Sequence, residues 1–178
     1  MGYAGGAKEN PSYHDLGDHA ETIQIDYDPT RVSYGDLLHI FWQSHTPTRG
    51  SWSRQYASII FYHNEEQKRL AIETRDHEET RSGAKIHTEI LPYSRFYLAE
   101  AYHQKYRLQQ EREVMKEFIV IYPDALDFVN STAAARVNGY LNGYGTRESL
   151  AGELGALGLS SEAGRTLVKL VSGSRGLL

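Results

Sequence analysis

The stretch ETIQIDYDPTRVSYGDLLHIFW, residues 21–42, changes its period halfway along. In the first seven residues Ile23, Ile25 and Tyr27 fall on one face and Thr22, Gln24 and Asp26 on the other, the alternation of a half-buried strand. Asp28 and Pro29 end that run. Ser33 followed by Asp36 resembles a capping box, and Tyr34, Leu37, Leu38, Phe41 and Trp42 then recur at helical spacing. The pattern predicts a strand and then a helix packed on a sheet.

Working outward from that unit, Ala57 to His63 (ASIIFYH) is β-branched and aromatic and bounded by polar residues, which predicts a buried strand. Asn64 to Arg81 is charged and free of Gly and Pro, as an amphipathic helix with a wide wet face would be. Lys85 to Leu91 alternates again. From Leu98 to Ile119 the apolar spacing suits two helices joined by a bend. Upstream, Met1 to Asp18 is rich in Gly, Pro, Asn, Ser and His and reads as ordered loop or a short strand end. After Pro123 the composition shifts to Ala- and Leu-rich segments, Thr132 to Leu141, Arg147 to Leu157 and Ser161 to Val171, punctuated by Gly143, Gly145, Gly158 and Gly173. Glycine directly after a periodic run is a helix stop. The expected organisation is a core over residues 1–123 and a helical extension over 124–178.

Composition excludes several functions. The 178 residues contain no cysteine, which removes disulfide frameworks, iron-sulfur clusters, thiolate zinc sites and a resident thiol nucleophile. The formal charge is −4, with neither sign gathered in a block, so no nucleic-acid or anionic-membrane partner is expected. No apolar run approaches the length of a membrane span, and the first fifteen residues lack the pattern of a secretory signal, giving cytoplasmic as the expected location. The sequon-like Asn130, Ser131, Thr132 then reads as a helix start. None of the eight histidines forms a metal-binding spacing, and Gly2, Gly5 and Gly6 do not form a phosphate loop; no metal and no cofactor is expected. Among the thirteen tyrosines, Tyr13 in NPSY and Tyr56 after Gln55 stand beside polar loop residues. Glu21 enters an apolar strand, where desolvation would raise a carboxyl pKa and make it a proton donor.

GYAGG (Gly2 to Gly6), NPSY (Asn10 to Tyr13), GDHAE (Gly17 to Glu21), YDP (Tyr27 to Pro29), IFWQSH (Ile40 to His45), RQY (Arg54 to Tyr56) and FYLAEAYHQKY (Phe96 to Tyr106) stand in order and register over roughly residues 2–108. In this the chain resembles the peptide methionine sulfoxide reductase A family, within it most the branch with GDH before the glutamate and a helical extension containing a stretch like NSTAAARVNGYLNGYG. The resemblance implies an α+β, ferredoxin-like two-layer core and a repair enzyme for methionine S-sulfoxide, free or in proteins and peptides. It implies Glu21 as general acid and Tyr13 and Tyr56 as hydrogen-bond partners of the sulfoxide oxygen, with His103 and Glu100 on the pocket wall. Thioredoxin would be the reductant when a catalytic cysteine is present.

The departures are as informative. The family's Gly-Cys-Phe-Trp segment, with the nucleophile and an aromatic cage, lies on the amino-terminal side of GYAGG, together with a first strand and helix; the strand is central in the family's sheet, and its loss would leave backbone groups unpaired and an apolar face uncovered. The expectation is that the natural gene product is longer and active, with a GTG valine codon read as the start, and that the 178 residues alone are inactive. An aspartate before Gln-Tyr in the family has no counterpart, for the loop here reads GSWSRQY with Ser51 and Trp52. Resolving cysteines are absent too. The rival readings are a non-catalytic protein that binds methionine sulfoxide or a peptide, and a structural interaction protein using the helical tail.

Overall fold

A computed structural model describes residues 1–173, which form an α+β protein of two compact units, Met1–Glu100 and a second that begins at Ala101. Among the described residues the five strands lie in the first unit: β1 (Gly2–Ala4), β2 (Ala20–Thr22), β3 (Ile59–Tyr62), β4 (Glu89–Pro92) and β5 (Phe96–Leu98). They make two sheets. In one, the order β2-β1-β5 is antiparallel throughout, with Tyr3 opposite Glu21 on one side and Tyr97 on the other. In the other, β3 and β4 are parallel, Ile59 pairing with Glu89 and Tyr62 with Pro92. Their connection is α2 (Glu65–Ser82), as a parallel pair requires a crossover.

The helices start where their caps dictate. Ser33 accepts the Asp36 amide and Asp36 accepts the Ser33 amide, closing the expected box at the start of α1 (Tyr34–Gln43). Asn64 accepts the Gln67 amide to begin α2. Leu38 and Trp42 of α1 pack with Ile60, Ala71 and Ile86 as the unit's larger core. A smaller core of Tyr3, Leu16 and Ala99 lies at the antiparallel sheet.

Three local expectations are corrected. The strand expected over Glu21 to Tyr27 ends at Thr22; beyond it no neighbouring strand pairs with residues 23–27 among the described residues, and Ile23 and Ile25 are 69% and 52% exposed. The text before Asp18 contains the central strand β1, which three residues of Gly, Tyr and Ala do not announce by propensity. The run from Arg147 to Leu157 divides into α7 (Arg147–Glu153) and a 3-10 turn at Leu154–Ala156, Gly152 and Gly155 weakening it as a continuous helix.

The second unit is helical: α3 (Tyr106–Gln110), α4 (Arg112–Ile121), α5 (Ala125–Asn130), α6 (Thr132–Leu141), α7 and α8 (Ser161–Gly173). The expected bend between two helices falls at Glu111. Ser131 caps α6 by accepting the Ala134 amide, so the Asn130–Thr132 triplet is a helix start. Leu108, Val114, Phe118, Val137, Leu150 and Leu167 share one buried core, which unites helices on both sides of Pro123.

Candidate active site

The 3-10 turn Arg54–Tyr56 sends three successive side chains to three different elements. Arg54 pairs with Glu89 of β4. Gln55 donates from Nε2 to Glu21 Oε1 of β2 at 2.7 Å. The Tyr56 hydroxyl shares a hydrogen bond with that of Tyr13. A turn with 3.0 residues per revolution fans its side chains about 120° apart, so this short element bonds in three directions at once. Tyr56 is thereby gathered at one place with Glu21 and Tyr13, which stand 35 and 43 positions before it.

Tyr13 is held from the other side by Glu100. That carboxylate accepts the Tyr13 backbone N–H at 3.0 Å on Oε1 and the Tyr3 hydroxyl at 2.6 Å on Oε2. Glu100 is therefore engaged in holding Tyr13 and the central strand. His103 lies in the second unit, on a 3-10 turn at Ala101–His103, its ring against Tyr102 at 4.2 Å between centroids.

The loop between β1 and β2 carries Tyr13, and the GYAGG and GDH motifs shape it. Gly5 has φ +84°, a region costly for other residues, and a Cβ there would meet the Phe61 ring at 2.6 Å. At Gly6 a Cβ would come within 2.5 Å of Asp18 Oδ1. The close approach lets Asp18 accept the Ala7 amide at 2.9 Å and the Lys8 amide at 3.2 Å. His19, 1% exposed, accepts the Gly6 amide on Nδ1 at 3.1 Å, which leaves Nε2–H to donate to the Lys8 carbonyl at 2.8 Å. Nothing in local periodicity marks Asp18, His19 or Gln55 as the residues that hold the site; their appearance inside the quoted motifs is the available signal.

The amide bonds from Ala7 and then Lys8 hold the Asp18 carboxyl below its usual range. A depressed folded-state pKa stabilises the loop above the unfolded value, near 4, and that contribution is lost as pH falls through the folded value. Protection factors of the Ala7 and Lys8 amides should fall steeply once the pH drops below about 4. In Asp18→Asn, which keeps one acceptor oxygen and does not titrate, hydrogen exchange should show protection that is lower and flat across that range. A wild-type profile as flat as the variant's would reject the role of the carboxylate.

Glu21 and Tyr56 stand in the wall of a cleft of about 710 Å³, lined mostly by apolar residues that include Ile23, Ile25, Phe41 and Ile59, with Gln24, His45 and Ser58 among its polar ones. The cleft runs between the two sheets, and β2 and β3, which both line it, each pair with a single strand. Ile40, also in its lining, is 60% exposed. The Tyr34 hydroxyl is buried without a hydrogen-bond partner, and burial, followed by the neighbouring Tyr27, pushes its phenol up to about 12. Tyr56 is also held above the usual phenol value, first by its bond with Tyr13, then by desolvation and the charge of Glu21. Both phenols therefore remain hydrogen-bond donors at neutral pH. One carboxyl and two hydroxyls beside an apolar cleft suit a ligand with a strongly accepting oxygen on an otherwise apolar body. No group of three metal-ligating side chains occurs among the described residues, and no described helix is long and apolar enough to cross a membrane.

Comparison with known proteins gives the arrangement its context. The family model described as peptide methionine sulfoxide reductase matches residues 1–136. A Drosophila melanogaster protein, peptide methionine sulfoxide reductase, is 43% identical over 166 residues, covering 90% of this chain and 65% of that protein. The MsrA of Methanothermobacter thermautotrophicus is 45% identical over 117 residues, covering 60% of this chain and 69% of its own. The reduced form of Mxr1 from Saccharomyces cerevisiae superposes with a TM-score of 0.57 at 30% identity, covering 63% of this chain and 70% of that structure. This chain spans 57% of the Oryza sativa relative, peptide methionine sulfoxide reductase A5.

Proposed function

The chain belongs to the peptide methionine sulfoxide reductase family, and from that premise we propose that its pocket serves the reduction of methionine S-sulfoxide in proteins and peptides. The carrying observation is the Arg54–Tyr56 turn, which fastens Gln55 to Glu21 and Tyr56 to Tyr13 beside an apolar cleft. The sulfoxide oxygen would lie against the phenols of Tyr13 and Tyr56 and the carboxyl of Glu21, with the thioether body on the apolar wall.

The reaction needs a thiolate, and the sequence has no cysteine. The proposal therefore assigns the thiol to a Gly-Cys-Phe-Trp segment seated in the cleft, where Ile23, Ile25 and Ile40 stand exposed and the Tyr34 hydroxyl awaits a partner. Thiolate sulfur attacks sulfoxide sulfur while Glu21 gives a proton to the oxygen, its share of the work being to turn oxide into a better leaving group. As the oxygen passes to the cysteine, methionine sulfide departs. The cysteine, oxidised by two electrons, is left as sulfenic acid; a dithiol such as thioredoxin returns it to thiol, releasing water. A reducing cytoplasm suits that cycle.

Calorimetry on the 178-residue chain with blocked methionine S-sulfoxide and R-sulfoxide tests the recognition half. Preferential binding of the S epimer is expected, since the phenols and the carboxyl occupy one side of the bound sulfur. Equal affinity for both epimers, or none for either, would reject the proposal.

A further inference from the structure

The loop ahead of the Arg54–Tyr56 turn carries an indole that the fold leaves in water. Trp52 is 84% exposed, whereas Trp42, the other tryptophan in the sequence, is 4% exposed in the α1 core. Ser51 Oγ donates to the Ser53 carbonyl at 2.6 Å and accepts the Ser53 amide at 3.3 Å, closing a tight bend with Trp52 at its centre. The indole meets one neighbouring ring, that of Tyr56, at 5.2 Å between centroids and 48° between planes. Tyr56 is itself 46% exposed. An exposed indole forgoes the transfer free energy that burial would supply, and a large rigid ring loses little conformational freedom when something covers it. Trp52 is not part of the cleft wall itself, but its ring lies against Tyr56, which is, so the indole stands next to the pocket.

Resting on the reading of the pocket given above, we infer that Trp52 is a specificity-determining platform for the residue next to the methionine sulfoxide in a peptide. With the sulfoxide oxygen at Tyr13 and Tyr56, the substrate's main chain has to leave across the rim. An apolar flanking side chain then lies on the indole and removes both surfaces from water. A single blocked amino acid reaches the phenols and the carboxyl but offers nothing to cover Trp52. The site would therefore prefer peptide-borne over free methionine sulfoxide, most of all beside aliphatic or aromatic residues.

The test is calorimetry on the 178-residue chain with two probes, a blocked Leu-methionine S-sulfoxide-Leu tripeptide and N-acetylmethionine S-sulfoxide amide. Trp52→Ala should weaken tripeptide binding about three- to tenfold, the range of one ring contact, and leave the single-residue probe within about twofold. Trp52→Phe should recover most of the loss. Tryptophan emission should shift on adding the tripeptide and not on adding the single residue. If Trp52→Ala leaves the tripeptide unaffected, or weakens both probes equally, the platform is rejected while the pocket reading stands. If the wild-type chain binds neither probe, the pocket reading falls and the platform with it.

Discussion

Incubated with dithiothreitol and a methionine S-sulfoxide peptide, the purified 178-residue chain is expected to form no methionine above the rate of dithiothreitol alone. The reason is the count of zero cysteines. Reduction by this chemistry needs an atom that both attacks sulfur and accepts its oxygen as a reducible sulfenate, and no hydroxyl, carboxyl or imidazole does both. Joining a Gly-Cys-Phe-Trp-bearing segment from a relative to the amino-terminal side should restore turnover, and changing that cysteine to serine should abolish it again. The joined segment should also cover Ile23, Ile25 and Ile40, now 69%, 52% and 60% exposed, and so raise thermal stability. Robust thiol-dependent reduction by the unextended chain would sink this account, because the pocket would then be working without the nucleophile assigned to it.

In the extended protein Glu21→Gln is expected to lower kcat/KM for a methionine S-sulfoxide peptide by about 10² to 10⁴, equivalent to roughly 3–5 kcal/mol of transition-state stabilisation. Glutamine has nearly the shape of glutamate and keeps an oxygen that can accept from Gln55, now 2.7 Å from Glu21 Oε1, so the turn should remain in place. What disappears is the proton. Binding of the S-sulfoxide by calorimetry should consequently change little while the rate collapses, a split that loss of folding would not produce. The comparison variant is Glu100→Gln: that carboxylate is occupied by the Tyr13 amide and the Tyr3 hydroxyl, so its loss should weaken binding and stability together. Full activity in Glu21→Gln would remove it from the mechanism.

Much of the fold was legible from local text. The Ser33–Asp36 box, the Asn64 cap and the Ser131 cap each satisfy helix amides within three residues, so the residues that start α1, α2 and α6 are neighbours in sequence. Strand extents were less legible. Alternation carried the reading of residues 23–27, yet a strand is defined by its neighbour, and beyond Thr22 none pairs with it. Conversely, β1 is central because β2 and β5 flank it, while its own three residues carry little strand propensity.

By itself the sequence determined the helix starts, the family, the three residues Tyr13, Glu21 and Tyr56 as candidates, and the absence of any thiol to complete their chemistry. Only the tertiary structure decided which carboxylate borders the cleft and which is tied up: Glu21 bonds Gln55 across 34 positions of chain, and Glu100 bonds Tyr13 across 87. Caps and amphipathic faces are short-range and leave a periodic trace. Partners brought together by chain closure over tens of residues leave none, and they are the ones that set the chemistry of the site.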